Sequence, residues 1–207
     1  MTTKTTARAA IAAALVSFAV WGVAQSAGSP AYNGARSGHH HAPGKFDQGL
    51  ARQLARARVA TAPYVSNLDL AKADGYRIIT PMMKDMGFHY LNPGITGFDV
   101  TKPHILVYTR RDGKYQLGAL EWVFPTKPKK APLKGATYGS FPAACHYDDG
   151  TFVTAGSEAD CKPTNEDGSP FFFWHPDLVT MHVWLWYPNP DGLYASMNPF
   201  VQPFNGG

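Results

Sequence analysis

The chain has 207 residues, of which 44% are hydrophobic and 16% charged, with a formal net charge of +4. That balance excludes a disordered or fibrous protein and fits one globular unit. Its basic clusters, Lys127, Lys129 and Lys130 in a Pro-rich stretch and Arg52, Arg56 and Arg58 at helical spacing, read as solvated surface, so nucleic acid is not an expected partner.

At the start of the chain, Lys4 and Arg8 precede an uncharged apolar run from Ala9 to Ala24, and the small residues Ser26 and Ala27 follow it. The run is shorter than the roughly 20 apolar residues of a membrane span, so residues 1–26 read as a secretory signal peptide. The expected location is secreted or periplasmic, with no membrane association after the signal is removed. Residues 27–45 are rich in Gly, Ser and Pro and read as a flexible tail. Its His39, His40 and His41 would gather metal ions only weakly, because no fold fixes their geometry. Residues 46–207 are expected to form a single globular domain.

From Asp47 the pattern becomes helical. Leu50, Leu54, Ala57, Thr61, Tyr64, Leu68 and Ala71 recur at spacings of four and three, which places one apolar stripe on a helix. Pro63 interrupts it, so the stripe predicts a helix pair or one kinked helix, and Gly75 is suited to stop it. Strand signals then dominate. "RIIT" and "GFHYLN" are short candidates, and two β-rich runs, His104 to Thr109 and Tyr115 to Phe124, flank Asp112-Gly113 as a hairpin. Residues 125–170 read as loop, and strands return at Phe171 to Trp174 and Met181 to Tyr187. The expected fold is α+β, an N-terminal helix or helix pair packed on an antiparallel sheet. Two cysteines in an exported chain predict a disulfide between Cys145 and Cys161.

Three ionisable residues fall where strand alternation predicts apolar surroundings. His182 has Trp184 two residues on, Glu121 lies between Ala119 and Val123, and His89 has Leu91. A lone buried charge is costly, so each needs a partner, and the three can partner one another. Two histidines and a carboxylate on adjacent strands make a metal site with open positions for zinc, iron or copper, with His175 as a candidate fourth ligand. The competing reading needs no metal: a histidine donates to Glu121 and accepts from Tyr90 in a closed polar network. Tyr90, Trp122, Trp184, Trp186 and Asn189 are the expected walls of a ligand pocket. His104 and His146 read as surface residues. No G-x-S-x-G elbow and no phosphate-cradling Gly loop is present, which disfavours serine hydrolases and nucleotide-dependent enzymes.

"AKADGYRI", "MGFHYLNP", a hairpin ending "LGALEWVF", and "MHVWLWYPNPDGLYASMNP" together resemble a family of small exported bacterial proteins with no assigned activity. The resemblance spans roughly residues 60–200 and is most specific in the G-x-H-Y-x-N and H-V-W-L-W-x-x-N-P-x-G segments. It implies export, a compact α+β fold, and a characteristic histidine, glutamate and histidine at His89, Glu121 and His182. The stretch 145–161 departs from it and reads as an insertion. The expected function is therefore an exported soluble domain binding one transition metal ion through His89, Glu121 and His182, with an unidentified small molecule as candidate partner. If catalytic, the ion would polarise a carbonyl or activate water or oxygen. The alternative is a non-catalytic small-molecule or structural envelope module whose polar cluster holds no metal.

Overall fold

The predicted apolar stripe folds as two helices in the computed structural model, which describes residues 47–205. The signal-peptide and tail readings of residues 1–26 and 27–45 lie outside the described residues. Helix α1, Gln48–Thr61, starts at Asp47, whose carboxylate accepts the Leu50 amide and satisfies one otherwise free donor. Pro63 turns the chain through a short 3-10 segment, Ala62–Tyr64, before α2, Leu68–Ala73, which Asn67 caps by accepting the Leu70 amide. Amides of Gly75 and Tyr76 then bond back to Lys72 and Ala71, each at 3.0 Å, and close α2. Ala57, Thr61, Leu68 and Ala71 of the stripe are buried.

The strands are β1 (Arg77–Ile78), β2 (Phe88–Leu91), β3 (Ile105–Arg111), β4 (Lys114–Phe124), β5 (Gly139–Phe141), β6 (Ala144–Tyr147), β7 (Phe152–Thr154), β8 (Phe171–His175) and β9 (Leu178–Val183). They form a six-stranded sheet in the order β1-β2-β3-β4-β9-β5 and a three-stranded sheet β7-β6-β8, and the pairings within both are antiparallel. The expected α+β class holds. β5, β6 and β7 occupy the stretch expected to be loop.

The hairpin of β3 and β4 turns on Asp112 and Gly113, whose φ values of 50° and 74° are those of a two-residue turn that follows strand twist. Within it the register shifts by one residue: Val107 pairs with Ala119, but Tyr108 pairs with Leu117. Gly118 is the extra residue, a β-bulge that changes the phase of the alternation. As a result Leu117 joins Leu120 and Trp122 beneath the helices, in the core that includes Leu106, Tyr108, Met181 and Val183. Ala119, Glu121 and Val123 point to the opposite face, with Ile105 and Val107. The Gly118 carbonyl, outside the ladder, accepts the amides of Trp186 and Tyr187 at 3.0 and 3.1 Å.

That contact corrects the expected course of the last strand. β9 ends at Val183, where the Leu185 amide bonds back to the Val183 carbonyl at 2.9 Å, a tight turn that breaks the two-residue period. Trp184 still packs on the His182 side, but Trp186 joins the helix-covered core and Tyr187 the other one. The predicted disulfide between Cys145 and Cys161 is formed and ties β6 to the segment that follows β7. Closing a loop of this length stabilises by about 3 kcal/mol in the chain-entropy estimate.

Candidate metal centre

Pairing register places the site. Leu91, Ile105, Glu121 and His182 lie in one cross-strand row of β2, β3, β4 and β9, with Glu121 and His182 direct partners. His89 lies in the neighbouring row, paired with Val107, which is paired in turn with Ala119. All three polar residues therefore leave the sheet on the face away from the helices, and all three are buried.

The structure brings His89, Glu121 and His182 together: one ligand atom of each lies within 4.8 Å of the others. His89 Nε2 and Glu121 Oε2 stand 3.8 Å apart, too far for a hydrogen bond. Two ligand atoms on one ion, each about 2.0–2.1 Å from it, are separated by roughly 3–4 Å, which matches this spacing. The side chain of Thr80 holds His89 in place, its Oγ1 lying 3.0 Å from Nδ1 and accepting the His89 backbone amide at 3.1 Å. Such an outer partner orients a ligating ring and leaves its other nitrogen free for an ion. His182 is different: both ring nitrogens are buried and neither has a hydrogen-bond partner among the described residues.

Burial dominates the electrostatics of all three. It lowers His182 to about 3, helped by the neighbouring His89, and lowers His89 to about 4, against the pull of the Gly87 carbonyl. It raises Glu121 to about 7, against a hydrogen bond from Thr180. Desolvation thus drives each group toward its uncharged form. A cation would reverse this for Glu121 and use the lone pairs that neutral histidines already present.

The polar-network alternative needs contacts that the fold does not make. Tyr90 leaves β2 on the helix side, packs on Tyr108 and cannot reach the ring of His89. Trp122 is also beneath the helices, its indole donating to the Asp99 carbonyl. Trp186 donates to Thr61 Oγ1 on that side, and Asn189 holds a surface turn by donating to Met197. Trp184 packs on His182 with ring centres 5.0 Å apart and donates to the Ala195 carbonyl. None of these five residues lines the cavity beside the site.

That cavity, of about 520 Å³, lies between the six-stranded sheet and the small sheet. His89 and Glu121 open onto it, among apolar walls such as Met83, Ile95, Ile105 and Phe141. Sequence reasoning missed two of its residues. His104 and His146 are buried, not surface residues, and both line it. The usable signal for His146 was its place in the run "AACHY", since cross-strand pairing sets it between Phe152 and Phe173. His175, the candidate fourth ligand, pairs instead with His146, Nε2 to Nε2 at 3.0 Å, and stands outside the trio.

Compared with protein-family models, with curated proteins and with solved structures, the chain matches none. Among the described residues, no helix is long and apolar enough to cross a membrane.

Proposed function

We propose that this is an exported metal-binding protein in which His89, Glu121 and His182 hold one transition metal ion, zinc, iron or copper, beside an apolar small-molecule cavity. One observation carries the reading. His182 keeps two buried nitrogens without partners, with ligand atoms of His89 and Glu121 close enough to share an ion. Burying such donors unpaired costs about 1–3 kcal/mol, and a ligand set is a reason for a chain to bear that cost.

The remaining parts of the site support the same use. Strand pairing fixes Glu121 against His182, and Thr80 orients His89. The cavity volume is in the range of small-molecule sites. A bound ion would supply Lewis acidity toward a carbonyl or an activated water there. Export, and membership of the family of small exported bacterial proteins that the His89, Glu121 and His182 segments resemble, are part of the proposal. The Cys145–Cys161 disulfide supports it, because such bonds persist in oxidising compartments.

The test is elemental analysis of the full chain with His39, His40 and His41 changed to Ala, so that the tail cannot contribute. Adding His182→Ala should remove one equivalent of metal per chain. Equal metal content with and without His182 would overturn the assignment.

A further inference from the structure

The second histidine pair, on the opposite wall of the cavity, carries an inference of its own. His146 Nδ1 lies 2.8 Å from the Ile79 carbonyl and His175 Nδ1 2.7 Å from the Pro176 carbonyl. A carbonyl oxygen only accepts, so each ring carries its proton on Nδ1. Each Nε2 therefore presents a bare lone pair, and the two nitrogens lie 3.0 Å apart. Both rings are buried, and Phe173 stacks on His146 with ring centres 4.6 Å apart. Two acceptors in contact inside an aromatic box repel unless they share a cation.

We infer that His146 and His175 form a second transition-metal site, separate from the His89, Glu121 and His182 trio, whose remaining coordination positions open onto the shared cavity. The proton assignment is the one a ligating histidine needs, with Nδ1 donating to a backbone carbonyl and Nε2 left for the metal. The spacing also suits one coordination geometry. With metal–nitrogen bonds of about 2.0–2.1 Å, nitrogens 3.0 Å apart subtend an angle of about 95° at the ion. That is the right angle of tetragonal coordination, which suits copper(II) with imidazole ligands better than tetrahedral zinc. Strand pairing fixes both rings, because Ala144 pairs with His175 and His146 with Phe173 across β6 and β8. The disulfide at Cys145 anchors the same strand. The pair shares no residue with the His89, Glu121 and His182 trio.

Copper(II) is the probe. The full chain carrying His39→Ala, His40→Ala, His41→Ala and His182→Ala removes the tail and the first site. After dialysis it should retain one equivalent of copper(II), with a tetragonal electron paramagnetic resonance spectrum showing two imidazole nitrogens. Further substitution by His175→Ala should abolish that signal. Equal copper retention with and without His175, or no retention at all, would overturn the site. Should the His175 variant fail to fold, nitrogen-15 resonance of the metal-free parent decides, since the site requires both Nε2 atoms to be unprotonated. A proton on either Nε2, shared between the rings, sinks it. Copper held through His175 while His182→Ala leaves metal content unchanged would overturn the first assignment and keep this one.

Discussion

Glu121 and His182 are direct cross-strand partners on β4 and β9, so paired backbone, and not a flexible loop, sets the carboxylate against the imidazole. Ligands placed this way hold their separation in the absence of an ion.

His182→Leu keeps the volume and removes two unpartnered buried nitrogens. In chelator-treated protein it should raise unfolding stability by about 1 kcal/mol, and in metal-loaded protein it should abolish the stabilisation by metal. Denaturant unfolding with and without chelator reads both effects. A loss of stability in the metal-free variant would count against the unpaired state of His182.

The ionisation of Glu121 gives a pH dependence. Its pKa is raised by burial from 4.5 to about 7, so its contribution in the metal-free protein is complete below 4.5 and lost as pH rises through about 7. His89 and His182 run the other way. Lowered to about 4 and about 3, they contribute fully above 6.5 and lose that contribution as pH falls toward their folded values. Glu121→Gln should therefore match the metal-free parent near the unperturbed carboxylate value and exceed it by up to roughly 3 kcal/mol well above neutrality. Thermal unfolding across pH is the measurement, and parallel curves for the two proteins would refute it.

Metal uptake should move a proton. At about pH 6 Glu121 is protonated and both histidines are neutral, so binding at the trio should release about one proton, falling toward none at about pH 8. Calorimetry in buffers of different ionisation enthalpy gives the number. Release that did not change with pH would place the titrating ligand elsewhere.

Gly87 sets the approach of β2 to β3. Its φ is +125°, and a methyl group there would lie 2.3 Å from the Tyr108 carbonyl oxygen, a backbone atom that cannot turn away. Gly87→Ala should cost roughly 3–5 kcal/mol and weaken metal binding, because His89 is two residues on. Gly97→Ala is a fair control: its φ of +68° adds ordinary backbone strain, but nothing lies within 4 Å of the added methyl. Similar losses in both variants would show that the clash with Tyr108 is not decisive.

Reduction of the Cys145–Cys161 bridge should lower stability by about 3 kcal/mol. Because β6 carries His146, copper binding at the second pair should weaken more than binding at the trio. Paired titrations of oxidised and reduced protein check this.

The sequence made His89, Glu121 and His182 legible because strand alternation is local: each has an apolar neighbour two residues away, and the fold keeps that period there. It failed where a distant contact reset the period. Trp186 and Tyr187 changed sides because both amides reach for the Gly118 carbonyl, and Gly118 is free to accept only because it bulges out of β4. An isolated Gly inside a strand pattern was the available hint. His146 stayed hidden for a similar reason, since its burial depends on pairing with the Phe171–His175 strand, which lies beyond a long disulfide-bounded loop. The helix pair was readable throughout because its stripe, its caps and its proline are all encoded within a few residues.

The hairpin of β3 and β4 closes on a two-residue turn between neighbours in sequence, whereas β9 must return from the far end of the chain to lie beside β4. Local hairpins form in microseconds, and distant pairings wait for the intervening chain to be ordered. On that order Glu121 is expected in position before His182. Ion capture by the trio would then be a closing event of folding, acting as a latch on a finished sheet and not as a seed for it.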